Sequence, residues 1–129
     1  MSEQIEIIKI KRWSVSLVRE NPDHLFIFGD NDIKKGKKGQ AIIRDEPNAL
    51  GIPTKKFPSY SEKAYYSDFE LEQNIKNIDK AIELIILELP KYKKLVLPTD
   101  GFGTGLADLQ NKAPNTFIYL NNKIKELFK

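Results

Sequence analysis

The chain has 129 residues, no cysteine, a single histidine (His24) and a formal net charge of +3. This length supports one domain, residues 1–129, with a core of its own, while the cysteine count excludes disulfides, thiol nucleophiles and thiolate metal sites. One histidine is too few for a zinc site, and no stretch reaches the ~18 apolar residues of a membrane span.

In chain order, Ile5 to Ile10 is isoleucine-rich and alternating, which predicts an outer strand. Trp13 to Glu20 has helical spacing, with Ser14 or Ser16 as cap and Asn21-Pro22-Asp23 as stop. Leu25 to Phe28 is a continuous apolar run, the pattern of a strand buried on both faces of a parallel sheet. It feeds the polar loop Gly29 to Asp32, then Gly36 to Ala41, with helix-compatible residues from Gln40 to Arg44. Asn48, beside Pro47, reads as turn chemistry. A short strand is expected within Ala49 to Lys56, limited by Gly51 and Pro53. Phe57 to Asp68 reads as a loop whose aromatics either pack beneath it or stack on a ring ligand.

Phe69 to Leu89 carries the clearest helical stripe, Leu71, Ile75, Ile78, Ile82, Ile85 and Leu89, with Asp68 as the candidate N-cap and Pro90 as the end. Leu95 to Leu97 is a second buried strand. It ends at Pro98 and opens into a loop containing Gly101, Gly103 and Gly105, followed by helical spacing, an order of strand, glycine loop and helix that suits a phosphate. Pro114 fits a first helical turn, and Phe117, Leu120, Ile124 and Leu127 give the C-terminal helix its apolar face. The alternation implies an α/β fold of three layers, α/β/α, with a mixed, mostly parallel central sheet.

In such sheets ligands bind outside the carboxyl ends of the strands. Two glycine loops meeting there suit a diphosphate, one lining each side. Asn31 and Gln40 can bond ribose hydroxyls, and Asp30 can accept from a ribose hydroxyl or an adenine amino group, although Asp30-Asn31 is equally good turn chemistry. Lysines cluster at 34–38, at Lys55 and Lys56, and at 91–94. They are read either as a mild positive field for an anion or as an ordinary solvated surface. The modest net charge and the absence of a recognition motif argue against nucleic acid as partner.

The order of buried strand, polar glycine loop, lysine-bearing segment, long helix, strand ending in Leu97-Pro98, glycine loop and closing helix resembles a macrodomain. Ile52 to Lys56, together with Gly103 to Gln110, is similar to the small macrodomains that remove ADP-ribose from carboxylate side chains. The set Phe28 to Asn31, Gly39 to Ala41, Pro47 to Lys55 and Gly101 to Leu106 also resembles an uncharacterised, macrodomain-like group of phage and bacterial proteins. The resemblance covers Leu25 to Leu127. It implies binding of ADP-ribose or a related nucleotide diphosphate through Gly29, Asp30, Asn31, Gly36, Gly39, Gln40, Thr54, Gly101, Phe102, Gly103, Thr104, Gly105 and Leu106. It also implies a lysine nucleophile assisted by an aspartate, at positions matching Lys55 and Asp108. The loop is two residues longer than the family pattern, so Asp100 competes with Asp108, and Lys55 reads as a phosphate contact somewhat sooner than as a nucleophile. The implied alternatives are an ADP-ribosyl hydrolase, and a non-catalytic reader of ADP-ribosylated protein or sequestering protein for a nucleotide signal. No cofactor, metal or membrane is expected, and the N-terminus lacks a signal pattern, so the expected compartment is the cytoplasm.

Overall fold

The structure is a computed structural model that describes residues 5–128. Four strands, β1 (Glu6–Ile10), β2 (His24–Asp30), β3 (Ala49–Pro53) and β4 (Lys94–Pro98), form one sheet in the order β1-β4-β2-β3. Every described strand pairing is parallel, so the sheet is more uniform than the mixed one expected. Helices α1 (Val15–Glu20), α2 (Leu71–Glu88), α3 (Leu109–Lys112) and α4 (Pro114–Leu127) cover it. No helix of the described residues is long and apolar enough to cross a membrane.

The strand period of two sorts side chains onto two faces. Leu25, Ile27, Ile52, Leu95 and Leu97 meet Ile78, Ile82 and Ile85 of α2 and Leu120 and Ile124 of α4. The opposite residues, Phe26, Phe28, Ala49 and Val96, meet Val18 of α1 and Ala41 and Ile43 of a 3-10 turn, Gly39–Ile43. These are the three layers. Each fully buried aliphatic side chain contributes roughly 2 kcal/mol of transfer free energy, which makes the central strands the anchor of the fold.

Several boundaries are set by tertiary partners. Ser14 caps α1 by accepting from the Leu17 amide at 3.1 Å. Helix α2 starts at Leu71, the first residue of its stripe and two residues after the predicted start at Phe69, because a 3-10 turn, Asp68–Glu70, precedes it with Ser67 as cap. Asp68 does not cap α2. Its carboxylate accepts instead from the amides of Asn115 and Thr116 and from the Thr116 hydroxyl, capping the first turn of α4 from a distant segment. Asn48 is also more than turn chemistry. It is buried, and its Nδ2 donates to the carbonyls of Val18, Asn21 and His24, tying the end of α1 to the start of β3.

Because all four strands run the same way, Asp30, Pro53 and Pro98 end at one edge of the sheet. The segments that follow them meet there.

Candidate functional site

A cleft of about 840 Å³ opens at that edge, lined by residues from the segments after β2, β3 and β4. Of the residues singled out from the sequence, Gly29, Asp30, Asn31, Gly36, Gly39, Gln40, Thr54, Lys55, Gly101, Gly103, Thr104, Gly105 and Leu106 line it. Phe102 does not: it is buried in the core beneath the loop, against the α2 and α4 side. Asp100 and Asp108 are outside the lining as well. Asp100 is exposed, and Asp108 sits in a left-handed conformation (φ 45°) with its carboxylate accepting from Asn111 at 2.7 Å.

The first wall begins within a strand, since β2 runs on through Gly29 and Asp30. Asp30 is buried above Gly51 of the neighbouring strand, where a Cβ would come within 2.6 Å of its carboxylate, so a side chain at 51 would expel it. Its Oδ1 accepts from the Asn31 amide at 2.7 Å and lies 2.7 Å from Arg44 Nη1. Arg44 then reaches over the loop, donating to the Gly36 carbonyl at 2.9 Å and the Lys35 carbonyl at 3.1 Å. Asn31 Nδ2 donates to that Lys35 carbonyl at 2.7 Å, and Asn31 Oδ1 accepts from the Lys35 amide. Gln40 Oε1 accepts from the Gly29 amide at 2.9 Å. The side chains of Asp30 and Asn31, which line the cleft, thus also hold the loop in shape.

With its carbonyls so engaged, the loop is left with donors. The amides of residues 36–40 have no acceptor among the described residues, those of Gly39 and Gln40 because they open the 3-10 turn. The second wall repeats the arrangement. Asn121 of α4 grips the loop by accepting from the Phe102 amide at 3.0 Å and donating to the Phe102 carbonyl at 3.2 Å. Gly103 has φ 83°, and a Cβ there would come within 2.5 Å of Leu109, so only glycine lets the chain pass. The amides of residues 103–107 also lack an acceptor among the described residues. The helix expected behind these glycines is the single turn α3, too short for a useful macrodipole. The donors of this wall are thus the loop amides themselves.

The third wall carries Thr54, Lys55, Pro58, Ser59 and Tyr60. An antiparallel bridge joins Lys55 to Tyr65, and the Lys56 amide donates to the Ala64 carbonyl at 2.7 Å, folding the 57–68 segment back over the site. From the other side the Asp32 amide donates to the Lys55 carbonyl. Asp32 itself accepts from the Tyr66 hydroxyl and from Asn77, in a setting whose partial burial pushes its carboxyl above the usual range. Lys55 is 8% exposed and has no carboxylate partner among the described residues. Its ammonium lies over aromatic rings, 4.6 Å from the centre of Tyr65 and 5.4 Å from that of Tyr60. Burial, and secondarily the nearby Lys38, hold it below the ordinary lysine value.

Lys35, Lys37 and Lys38 also line the cleft, and of these Lys37 pairs with Asp45. Among the described residues Asp30 is the one carboxylate in the lining, and Arg44 neutralises it. The described residues contain no cluster of three or more histidine, aspartate or glutamate side chains placed to hold a metal. The lining thus combines two runs of residues whose amides have no acceptor among the described residues with four lysines, and its one carboxylate is paired with Arg44. It suits a phosphorylated ligand.

Arg44 and Asn121 were not singled out by the sequence, because each acts on a loop remote from it in the chain. Only the flanking glycines hinted that these loops needed outside support.

The chain matches the model of a family of unknown function, DUF7831, over residues 8–123, and it belongs to that family. Comparison with curated proteins and with solved structures returned no match.

Proposed function

We propose that this member of the DUF7831 family binds ADP-ribose or a related nucleotide diphosphate in the cleft at the carboxyl edge of its sheet. The observation that carries the reading is the pair of amide runs, 36–40 and 103–107, in residues that line one cleft, with no acceptors of their own among the described residues. A diphosphate supplies acceptor oxygens to both. Lys55, on the third wall, adds a desolvated positive charge, whose attraction for an anion is weakly screened there. Tyr60, two-thirds exposed at the rim, offers an aromatic face to a base or ribose. The order of motifs shared with macrodomains supports the same ligand class.

A binding protein, either a reader of ADP-ribosylated targets or a protein that sequesters a nucleotide signal, is the first form of this reading. Among the described residues no carboxylate pairs with Lys55 to move a proton, and Asp100 and Asp108 stand outside the lining. One observation favours ADP-ribosyl hydrolysis as a second form: the depressed basicity of Lys55, which raises the share of neutral, nucleophilic amine. In that form the amine attacks the anomeric carbon of the distal ribose and releases the carboxylate of the modified protein. Water then frees the sugar from the lysine.

Calorimetric titration with ADP-ribose tests the reading. Binding is expected, weakened by about tenfold or more, some ~1.4 kcal/mol, in Lys55→Ala. An absence of heat at millimolar ligand overturns it. Incubation with a protein ADP-ribosylated on glutamate separates the two forms, since a reader retains the modified protein and a hydrolase releases ADP-ribose in a manner lost in Lys55→Ala.

A further inference from the structure

Lys38, Tyr60, Lys55, Tyr65 and Lys112 form an alternating row of ammonium groups and phenol rings. Lys38 Nζ and Lys55 Nζ lie 5.6 Å and 5.4 Å from the centre of the Tyr60 ring. Lys55 Nζ and Lys112 Nζ lie 4.6 Å and 4.9 Å from the centre of the Tyr65 ring. Lys38, Tyr60 and Lys55 belong to the cleft lining, whereas Tyr65 and Lys112 lie beyond it, so the row leads from the cleft outward.

Three ammonium groups sharing two rings repel one another. Carboxylates usually relieve such repulsion, yet among the described residues the row has only Glu62, 3.5 Å from Lys112, with its own side chain 90% exposed. Such a pair is weak and easily exchanged. The rings take the place of carboxylates, because the negative face of a phenol attracts a cation. A ring face also leaves the donors of the ammonium group available, where a carboxylate would occupy them. The row therefore gathers positive charge and keeps it ready for an anion from outside.

The amide runs of the two glycine loops, with Lys55, already provide for a diphosphate, so the charge of Lys38 and Lys112 is surplus to it. We propose that the row is a second anion subsite, and that the ligand of the cleft is a nucleotide carrying a further phosphoryl group beyond its diphosphate, as a nucleoside triphosphate does. The inference rests on the nucleotide-diphosphate reading of the cleft. Lys38 and Lys55 meet the additional group from the cleft side and Lys112 from outside, in place of Glu62. A terminal phosphoryl group brings more negative charge and three acceptor oxygens, which matches three lysines rather than one.

The test is calorimetric titration of the full chain with ADP and with ATP, both free of divalent cations. ATP is expected to bind about tenfold more tightly than ADP. Lys112→Ala should bring ATP to the affinity of ADP and leave ADP unchanged, while Lys112→Arg keeps the difference. Lys125→Ala, which removes the same charge outside the row, should keep it too. Lys112 is a surface residue, and an unchanged melting temperature of its variants shows that folding is intact. ADP binding with no gain for ATP overturns the second subsite and leaves the cleft reading standing. A gain that survives Lys112→Ala, or that Lys125→Ala removes equally, also overturns it. Failure of ADP, ATP and ADP-ribose alike overturns both.

Discussion

Arg44 Nη1 lies 2.7 Å from Asp30 Oδ1 while the rest of the guanidinium holds the carbonyls of Lys35 and Gly36. One side chain thus neutralises the only carboxylate lining the cleft, among the described residues, and turns the loop carbonyls to itself. Arg44→Met strands a buried carboxylate and frees those carbonyls. A loss of about 3 kcal/mol is expected, read as a lower urea midpoint at unchanged m-value, together with weaker ADP-ribose binding. An unchanged midpoint contradicts the assignment.

Lys55→Met should move stability and binding in opposite directions. An unfolded lysine keeps its proton up to its ordinary value of 10.5, whereas in the fold burial, and then Lys38, depress it. Between the depressed value and 10.5 the unfolded chain binds more protons, so the native state gains stability as pH rises through that window. Below it the buried charge is a standing cost. The variant is therefore expected to be more stable than the parent near neutrality, with the difference shrinking as pH approaches 10.5. Thermal melts across this range measure it. A difference that grows with pH contradicts the sign.

Asp68 belongs energetically to α4. Replacing it with alanine removes the acceptor for the Asn115 and Thr116 amides and is expected to cost about 1 kcal/mol, the value of an N-cap, with Asp68→Asn losing less. Amide exchange localises the effect: protection should fall in the first turn of α4 and hold in α2. Loss confined to α2 would restore the simpler reading from the sequence.

Gly103→Ala forces a Cβ into Leu109 at a left-handed backbone position. The expected outcome is a loss of about 1–3 kcal/mol and a severe loss of ligand affinity. Gly105→Ala, where nothing lies within 4 Å of the added Cβ, should fold normally. Comparing the two separates strain in the loop from simple crowding of the ligand.

The strands β2 and β4 and the stripe of α2 were readable from the sequence because their signals are local periods, repeated over enough residues to outweigh accident. The meeting of the two glycine loops was readable for a different reason: parallel buried strands must present their ends at one edge. What escaped was tertiary and polar. Nothing near Asp30 announces Arg44, and nothing near Phe102 announces Asn121. Asp68 stands where an α2 cap belongs, but a 3-10 turn intervenes and a second helix start lies within its reach. The same limit hid the bonds by which Asp30 and Asn31, both in the cleft lining, hold the loop, since a side chain's hydrogen-bond partner is set by three-dimensional neighbours.

The sheet order has a consequence for how the molecule comes into being. Strand β4 is the last of the four in the chain, yet it lies between β1 and β2, and among the described residues it is the sole partner of β1. A nascent chain that has not yet produced Lys94–Pro98 has an orphan first strand and one wall of its cleft missing. Assembly thus waits for a long loop closure, which slows folding. Ligand then has nothing to hold until the whole sheet exists, so its binding energy falls entirely on the global unfolding equilibrium. Saturating nucleotide should raise the melting temperature of the intact chain, and a fragment ending before β4 should show no such rise.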